Sequence, residues 1–418
     1  MPVLLMSCLL NKNKSMKYLY LKPSVYIWRG QKDILFYDSE SYKKCYFSLN
    51  DNIISISDKL LDISNLYSVA ITSSDLQQEW IIEIIANKLA TVVESMPESR
   101  PIAIPPVLLF NNRAELANGN SSNFYDPYIL EYINTVTIRL SGSCDKQCVN
   151  CSKMYKQVKC CTKEREGCLD INELQGIYEK IKSLKIEKLE LIFTDMIDEA
   201  YTQTVLSIFS KLNCLKIIYI NSLNITSETY YFLKNYLGKY VLKIIFDCEE
   251  ISHSNISHDI IRLATNAISD FIVTSNEHIS FVNRLVSENN IINYEINCIY
   301  DGENLEFLNS YYFLNQEDLQ GLELKSSDIN KNQVMNSSLW GQLIIDPDST
   351  IRFNENDLDN KLITGSLYEF LQSNFVKPDF AWLRIRNTGK CVNCVYKYLC
   401  PPVSNVELFM NRISACSL

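Results

Sequence analysis

Apolar and polar positions along the chain fall into three different rhythms. Near the N-terminus, SVYIWRGQKDILFYDSESYKKCYFSL alternates apolar and polar residues around RGQKD and DSES, the period-two pattern of half-buried strands joined as hairpins. DLQQEWIIEIIANKLATVV then spaces apolar residues at i, i+3, i+4 and i+7, which predicts an amphipathic helix with Asp75 placed to cap it. RPIAIPPVLLF and ANGNSSNFYDP carry the prolines and short polar residues of an exit linker. Residues 1–130 therefore predict an α+β module. It holds no catalytic constellation, and docking of a partner or peptide is the role left to it.

From 131 to 335 the rhythm changes to strand then helix. TVTIRL, LELIF, LKIIYI, VLKIIF, DFIVT and YEINCIY read as strands, and INELQGIYEKIKSL, YTQTVLSIFSKL and SETYYFLKNYLGK as helices between them. Six such units predict an α/β fold with a parallel sheet curled into a partial (β/α)6 barrel, its chemistry collected at the C-terminal ends of the strands. In the last region, 336–418, WGQLIIDPDSTIRFNEND reads as a hairpin turning at DPDST, ITGSLYEFLQS as a short helix, and a cysteine group closes the chain. Trp382, Arg384 and Arg386 in AWLRIR alternate as a strand would.

Composition narrows the function classes. The 418 residues are 47% hydrophobic and 21% charged, ordinary for a globular chain. The net charge of -9 leaves no basic field to hold a nucleic-acid backbone. No apolar run approaches the ~20 residues of a membrane span, and PVLLMSCLL lacks the preceding positive residues of a signal peptide. Met6 or Met16 could each be the start. Fifteen cysteines are many, and they cluster at 144–168 and 391–416, which in a large chain without a signal argues for metal rather than disulfides and for a reducing cytoplasm. Cys8, Cys45, Cys214, Cys248 and Cys298 stand singly in apolar surroundings and read as small buried hydrophobes.

The first strand runs into SGSCDKQCVNCSKMYKQVKCC. Its C-x3-C-x2-C spacing offers Cys144, Cys148 and Cys151 as three soft thiolates to one centre. Zinc sites generally use paired C-x2-C hooks, so the spacing behind a barrel strand favours a [4Fe–4S] cluster, with zinc as the alternative. A thiolate from Cys160 or Cys161 could cap the fourth iron; otherwise both are loop thiols. Near the C-terminus Cys391, Cys394 and Cys400 have the spacing C-x2-C-x5-C, and Cys416 is the fourth ligand expected for that centre. Asp195, Asp198 and Glu199 read as a solvated helix start, and His253, His258 and His278 as surface histidines. There is no P-loop, dinucleotide GxGxxG or nucleophile elbow.

The first cysteine motif, in its strand–loop setting, resembles the signature of radical S-adenosylmethionine (SAM) enzymes. The second group resembles the SPASM auxiliary-cluster domain appended to many peptide-modifying members. AWLRIRNTGKCVNCVYKYLCPPVSNVE, with FLNQEDL, NQVMN and WGQLIIDP, is similar to one branch: the pseudo-radical-SAM proteins encoded beside a true radical SAM enzyme in Bacteroidales-type peptide-maturation systems. The resemblance covers about the last two thirds of the chain. It implies clusters at Cys144, Cys148 and Cys151 and at Cys391, Cys394, Cys400 and Cys416, with a precursor peptide and a radical SAM enzyme as partners. Two departures weaken SAM binding: Asn150 stands where an aromatic residue usually precedes the third cysteine, and LELIF runs into Thr194, Asp195 and Met196 instead of Gly-Gly-Glu. Three functions compete: an accessory iron–sulfur pseudo-enzyme, an active radical SAM peptide maturase, and a zinc-stabilised interaction protein.

Overall fold

The computed structural model describes residues 17–95, 127–146, 148–161, 166–194, 199–252, 256–357, 361–363, 365–377, 379–414 and 416. The exit linker, Cys8, Asp195, Asp198 and His253 fall outside them. The chain divides into two compact units. One takes in Met1–Leu109, Glu317–Lys331 and Lys390–Cys400, the other Phe110–Gln316, Asn332–Gly389 and Pro401–Leu418.

The smaller unit contains six strands: β1 (Lys17–Leu21), β2 (Val25–Arg29), β3 (Asp33–Asp38), β4 (Lys44–Ser48), β5 (Ser68–Ile71) and β6 (Ala90–Val93). They form two antiparallel sheets, ordered β5-β1-β6 and β2-β3-β4, the second being the pair of hairpins expected from the alternation. The helix Asp51–Leu61 is capped by Asn50 and buries Ile53, Ile56 and Leu60 against Leu19, Leu21, Ile34 and Phe36. The helix expected through 75–93 is shorter. It spans Glu79–Ala86, the chain turns at Lys88 with φ 63°, and ATVV pairs with β1 as β6. Asp75 does not cap it; its carboxylate accepts from the Thr72 amide (2.8 Å) and hydroxyl (2.7 Å) and closes the preceding loop.

The larger unit is built on one nine-stranded sheet. Its strands are β7 (Thr135–Arg139), β8 (Lys188–Phe193), β9 (Leu215–Asn221), β10 (Val241–Asp247), β11 (Ile268–Val273), β12 (Tyr294–Cys298), β13 (Gln342–Ile345), β14 (Thr350–Arg352) and β15 (Lys361–Leu362). Their order is β12-β11-β10-β9-β8-β7-β13-β14-β15. The six runs read as strands are parallel neighbours throughout, each crossing back through a helix such as Ile171–Ile181 or Glu199–Ser210. The hairpin at DPDST also forms, but β13 lies parallel to β7, so it extends the main sheet. That pairing joins residues about two hundred positions apart and leaves no local pattern.

The two faces of this sheet differ. Val136, Ile138, Leu189, Leu191, Ile218 and Ile244 belong to the large core that includes the helices. Ile192, Tyr219, Ile245 and Ile272 pack instead on Met154, Tyr155 and Cys160 of the segment that follows the first cysteines. Side chains alternate along a strand, so Thr137, Arg139 and Glu190 share this second face and are fully buried there. Arg139 pairs with Asp346 (3.1 Å) and Glu355 (2.9 Å), and Arg352 with the same two acids (2.7 and 3.2 Å). Burial disfavours the Arg139 charge, but Glu355 and Asp346 more than offset it and its pKa is raised. AWLRIR is not a strand: Ala381–Leu383 is a 3-10 turn that seats Trp382, fully buried, among Phe353, Phe375 and Phe380. Arg386 grips Glu407 with two hydrogen bonds (2.7 and 2.9 Å) and also donates to the Pro401 and Pro402 carbonyls. Among the described residues no helix is long and apolar enough to cross a membrane.

Candidate metal centre

The C-terminal ends of β7, β8, β9 and β10 deliver Ser141, Thr194, Asn221 and Asp247 to one edge, each buried. The cysteine loop springs from β7 at this edge and is tied at its base. Ser141 bridges Cys168, and the Gly142 amide donates to the Gly167 carbonyl (3.0 Å). Gly167 has φ 115°, and a Cβ there would stand 2.8 Å from the Pro347 carbonyl oxygen, so glycine is required. The loop's far side is fixed to the exit of β12. The Gln157 amide nitrogen donates to the Tyr300 carbonyl and its oxygen accepts from the Tyr300 amide, both at 2.8 Å. Lys153 donates to the Asp301 carbonyl, and Asn356 to the Lys156 carbonyl (2.8 Å).

Within that frame the Cys151 amide donates to the Cys148 carbonyl (3.3 Å), a tight turn from which the short helix Cys151–Met154 starts. Cys144, Cys148 and Cys151 line one small recess, together with Lys146, Met154, Cys161, Thr194, Asn221 and Asn224. The three thiols expected to share a centre all line this recess. Asn150 is buried and its carbonyl accepts from the Lys153 and Met154 amides, so it serves the turn.

Two carboxylates that the sequence reading passed over flank Cys148. Its sulfur and one oxygen each of Asp247 and Glu250 lie within 4.8 Å of one another, and Glu250 accepts from the Val149 amide (2.8 Å). Burial first, then Asp247 and Glu250, push the Cys148 thiol up to about 12. Burial raises Asp247 to about 7, with Glu250 and Glu249 adding to it against the Glu249 amide; its Oδ2 is buried with no hydrogen-bond partner. The signal available was position: FDCEE ends the fourth parallel strand, where such sheets place their chemistry.

The donor set fits a soft metal centre. Four cysteines line the recess, and soft thiolates suit iron–sulfur clusters or zinc, whereas magnesium and calcium need oxygen donors. Raised thiol pKa values at Cys148 and Cys161 mean that ligation at neutral pH would proceed with proton release. Cys168, exposed, stands at the base of the loop.

Cys391, Cys394 and Cys400 sit in a short turn of the smaller unit, Cys391 and Cys400 buried. The Cys394 amide donates to the Cys391 carbonyl (3.2 Å) and the Cys400 amide to the Tyr396 carbonyl (3.0 Å). Burial raises the Tyr396 phenol pKa, with Cys394, Asp33 and Cys400 adding to it. Cys416 lies in the larger unit, bridged to Leu314, with its sulfur 3.4 Å from the Ser414 hydroxyl.

Among the single cysteines, Cys45 and Cys248 are buried and Cys214 and Cys298 half-buried. His258 is exposed, as expected. His278 is not: it is buried in the first turn of the helix Asn276–Asn289, its Nδ1 accepting from the Thr274 amide (3.3 Å) and its Nε2 3.7 Å from Glu249. Ser275 caps that helix and turns the imidazole back onto the end of β11. Glu199 opens the helix Glu199–Ser210.

No protein-family model and no curated protein matches the chain. A solved structure with a similar course is that of Streptococcus suis SuiB bound to S-adenosylmethionine, aligned over 96% of this chain and 100% of that one at a TM-score of 0.47 and 12% identity.

Proposed function

We propose that this protein is a cytoplasmic iron–sulfur accessory protein with a radical-SAM-like partial barrel, assisting maturation of a ribosomally made peptide beside a true radical SAM enzyme. The observation that carries the reading is the convergence of Cys144, Cys148 and Cys151 on one recess at the C-terminal edge of the parallel strands. Those three residues would hold a [4Fe–4S] cluster, which when bound supplies one-electron transfer. Cys391, Cys394 and Cys400 would contribute ligands to the auxiliary centre. The N-terminal module, residues 1–130, would dock the partner or the peptide.

An accessory role is favoured over SAM cleavage by what fills the second strand end. The Thr194 hydroxyl donates to the Ser141 carbonyl, and the Thr194 carbonyl accepts from Asn224. Backbone groups at the strand end are thus engaged within the protein, and no glycine opens the approach.

Anaerobic reconstitution followed by iron, sulfide and zinc analysis tests the centre. The expected result is iron with equal sulfide and absorbance near ~400 nm, reduced by about half in Cys144→Ser. Zinc without sulfide would overturn the iron–sulfur reading. 5′-Deoxyadenosine formed from SAM under reductant would overturn the accessory role in favour of an active maturase.

A further inference from the structure

We infer that Cys161 is the fourth protein ligand of this centre, so that four thiolates close it and leave no metal position for an outside ligand. The inference rests on the reading above only in taking Cys144, Cys148 and Cys151 as metal ligands.

Cys160 and Cys161 are neighbours in sequence but their side chains part company. Cys160 is fully buried in the apolar cluster of Met154, Tyr155, Ile192, Tyr219 and Ile245 on the second face of the sheet. Cys161 lines the recess that Cys144, Cys148 and Cys151 also line. One side chain thus joins the apolar core and the other faces the recess. The segment is held from both ends. Gln157 is locked to Tyr300, and the Ser141–Cys168 bridge closes the loop behind it.

The surroundings of the Cys161 sulfur suit a ligand. The Asn221 amide, at the end of β9, donates to it (3.6 Å), the contact that steadies a thiolate. All three motif cysteines line the recess with it. Lys146 lines the same recess and supplies positive charge against four thiolates. Four soft donors complete the coordination of a [4Fe–4S] cluster or a tetrahedral metal.

The test uses the full chain, reconstituted anaerobically, as wild type, Cys161→Ala, Cys161→Ser, Cys160→Ser and Cys144→Ser. Folding is checked by circular dichroism. Readouts are metal per chain, release of that metal to a chelator, and the EPR signal of the reduced cluster with and without added SAM. Wild type and Cys160→Ser should show an EPR signal that SAM leaves unchanged. Both Cys161 variants should release metal to chelator at least about tenfold faster, and should show a reduced-cluster EPR signal altered from wild type as one thiolate is lost. A SAM-induced shift in wild type, or folded Cys161 variants whose release and spectrum match wild type, overturns the inference while the cluster reading stands. If the metal is zinc, the cluster reading fails, and faster zinc release from both Cys161 variants still supports Cys161 as ligand. No metal lost in Cys144→Ser relative to wild type overturns both.

Discussion

The two cysteine loops use the same hook and hold it in different ways. In each, the amide of the second cysteine of a C-x2-C pair donates to the carbonyl of the first, at 3.3 Å for Cys148–Cys151 and 3.2 Å for Cys391–Cys394. Around the first, the contacts are polar and directional: Gln157 on Tyr300, Glu250 on the Val149 amide, Asn221 on the Cys161 sulfur. Around the second they are apolar and aromatic. Val395 and Leu399 pack with Trp28, Leu35, Tyr37 and Ile329, Tyr396 stacks on Tyr46 at 6.4 Å, and Tyr398 tilts against Trp28 at 6.0 Å. Gly30 lets this loop approach closely, since a Cβ there would sit 2.7 Å from the Asn393 carbonyl oxygen. Hydrogen bonds from sheet ends fix where individual sulfurs point, whereas ring packing fixes the position of a loop as a body. The first loop is thus built for defined ligand geometry, and the second for a shared platform.

The largest effect that would break this comparison comes from beneath the first loop. Asp346 accepts from both Arg139 and Arg352, and Asp346→Ala would leave two buried guanidinium groups with Glu355 as their carboxylate partner. Breaking a buried pair from one side costs about 3–5 kcal/mol. We expect a loss of that size in denaturant unfolding, with iron lost from the first centre and retained at Cys391–Cys400. Equal loss from both would show that the two loops do not depend on separate supports.

The reciprocal change is Trp28→Ala, which removes a nearly buried ring that stacks on Tyr26 and Tyr37 and meets Tyr398. Truncating such a side chain costs about 3 kcal/mol. Metal should leave the second loop preferentially, read as faster chelator release with the Cys144 centre's spectrum intact.

Much of this contrast lay beyond sequence pattern, for identifiable reasons. The six strands were legible because apolar runs such as LELIF must cover two faces of a parallel sheet. The same runs hid Arg139 and Glu190, whose buried partners come from segments distant in sequence. Cys144, Cys148 and Cys151 were legible from spacing, but the choice between Cys160 and Cys161 was not. Adjacent residues differ only in which way the chain faces when the sheet is in place. Asp247 and Glu250 carried no signal of their own in the sequence, and only the end of β10 sets them beside Cys148. His278 looked exposed because nothing local shows that the Ser275 cap turns its ring onto Thr274.

Acid should weaken the first support selectively. Glu190 is buried beneath the loop, which by itself would raise its pKa, but Lys159 and Lys188 and hydrogen bonds from Lys159 and Thr137 bring it down to about 2. A carboxylate with a depressed folded pKa stabilises above its unfolded value near ~4.3 and loses that contribution as pH falls toward the folded one. At 1.36 kcal/mol per pH unit, the pH-dependent part is roughly 3 kcal/mol between about pH 4.3 and 2. Glu190→Gln should flatten stability over that window in denaturant titrations. A slope unchanged from wild type would remove Glu190 from the account.

The smallest effect bears most directly on the contrast between direction and packing. Gln157 makes two 2.8 Å hydrogen bonds to the backbone of Tyr300, one as donor and one as acceptor. Gln157→Leu keeps the bulk and removes both. At about 0.5–1.5 kcal/mol for each bond, the expected cost to global stability is about 1–3 kcal/mol. If the loop holds its ligands by direction, this small loss should be amplified at the centre. Metal release from the first site should accelerate by about tenfold, because Cys161 lies four residues beyond the lost anchor and its line to the recess is set by it. The counterpart in the second loop is Tyr396→Phe, which keeps the ring that stacks on Tyr46 and should leave metal release there unchanged. A Gln157→Leu protein that loses stability and keeps its metal as wild type does would mean that the first loop, like the second, is held as a body.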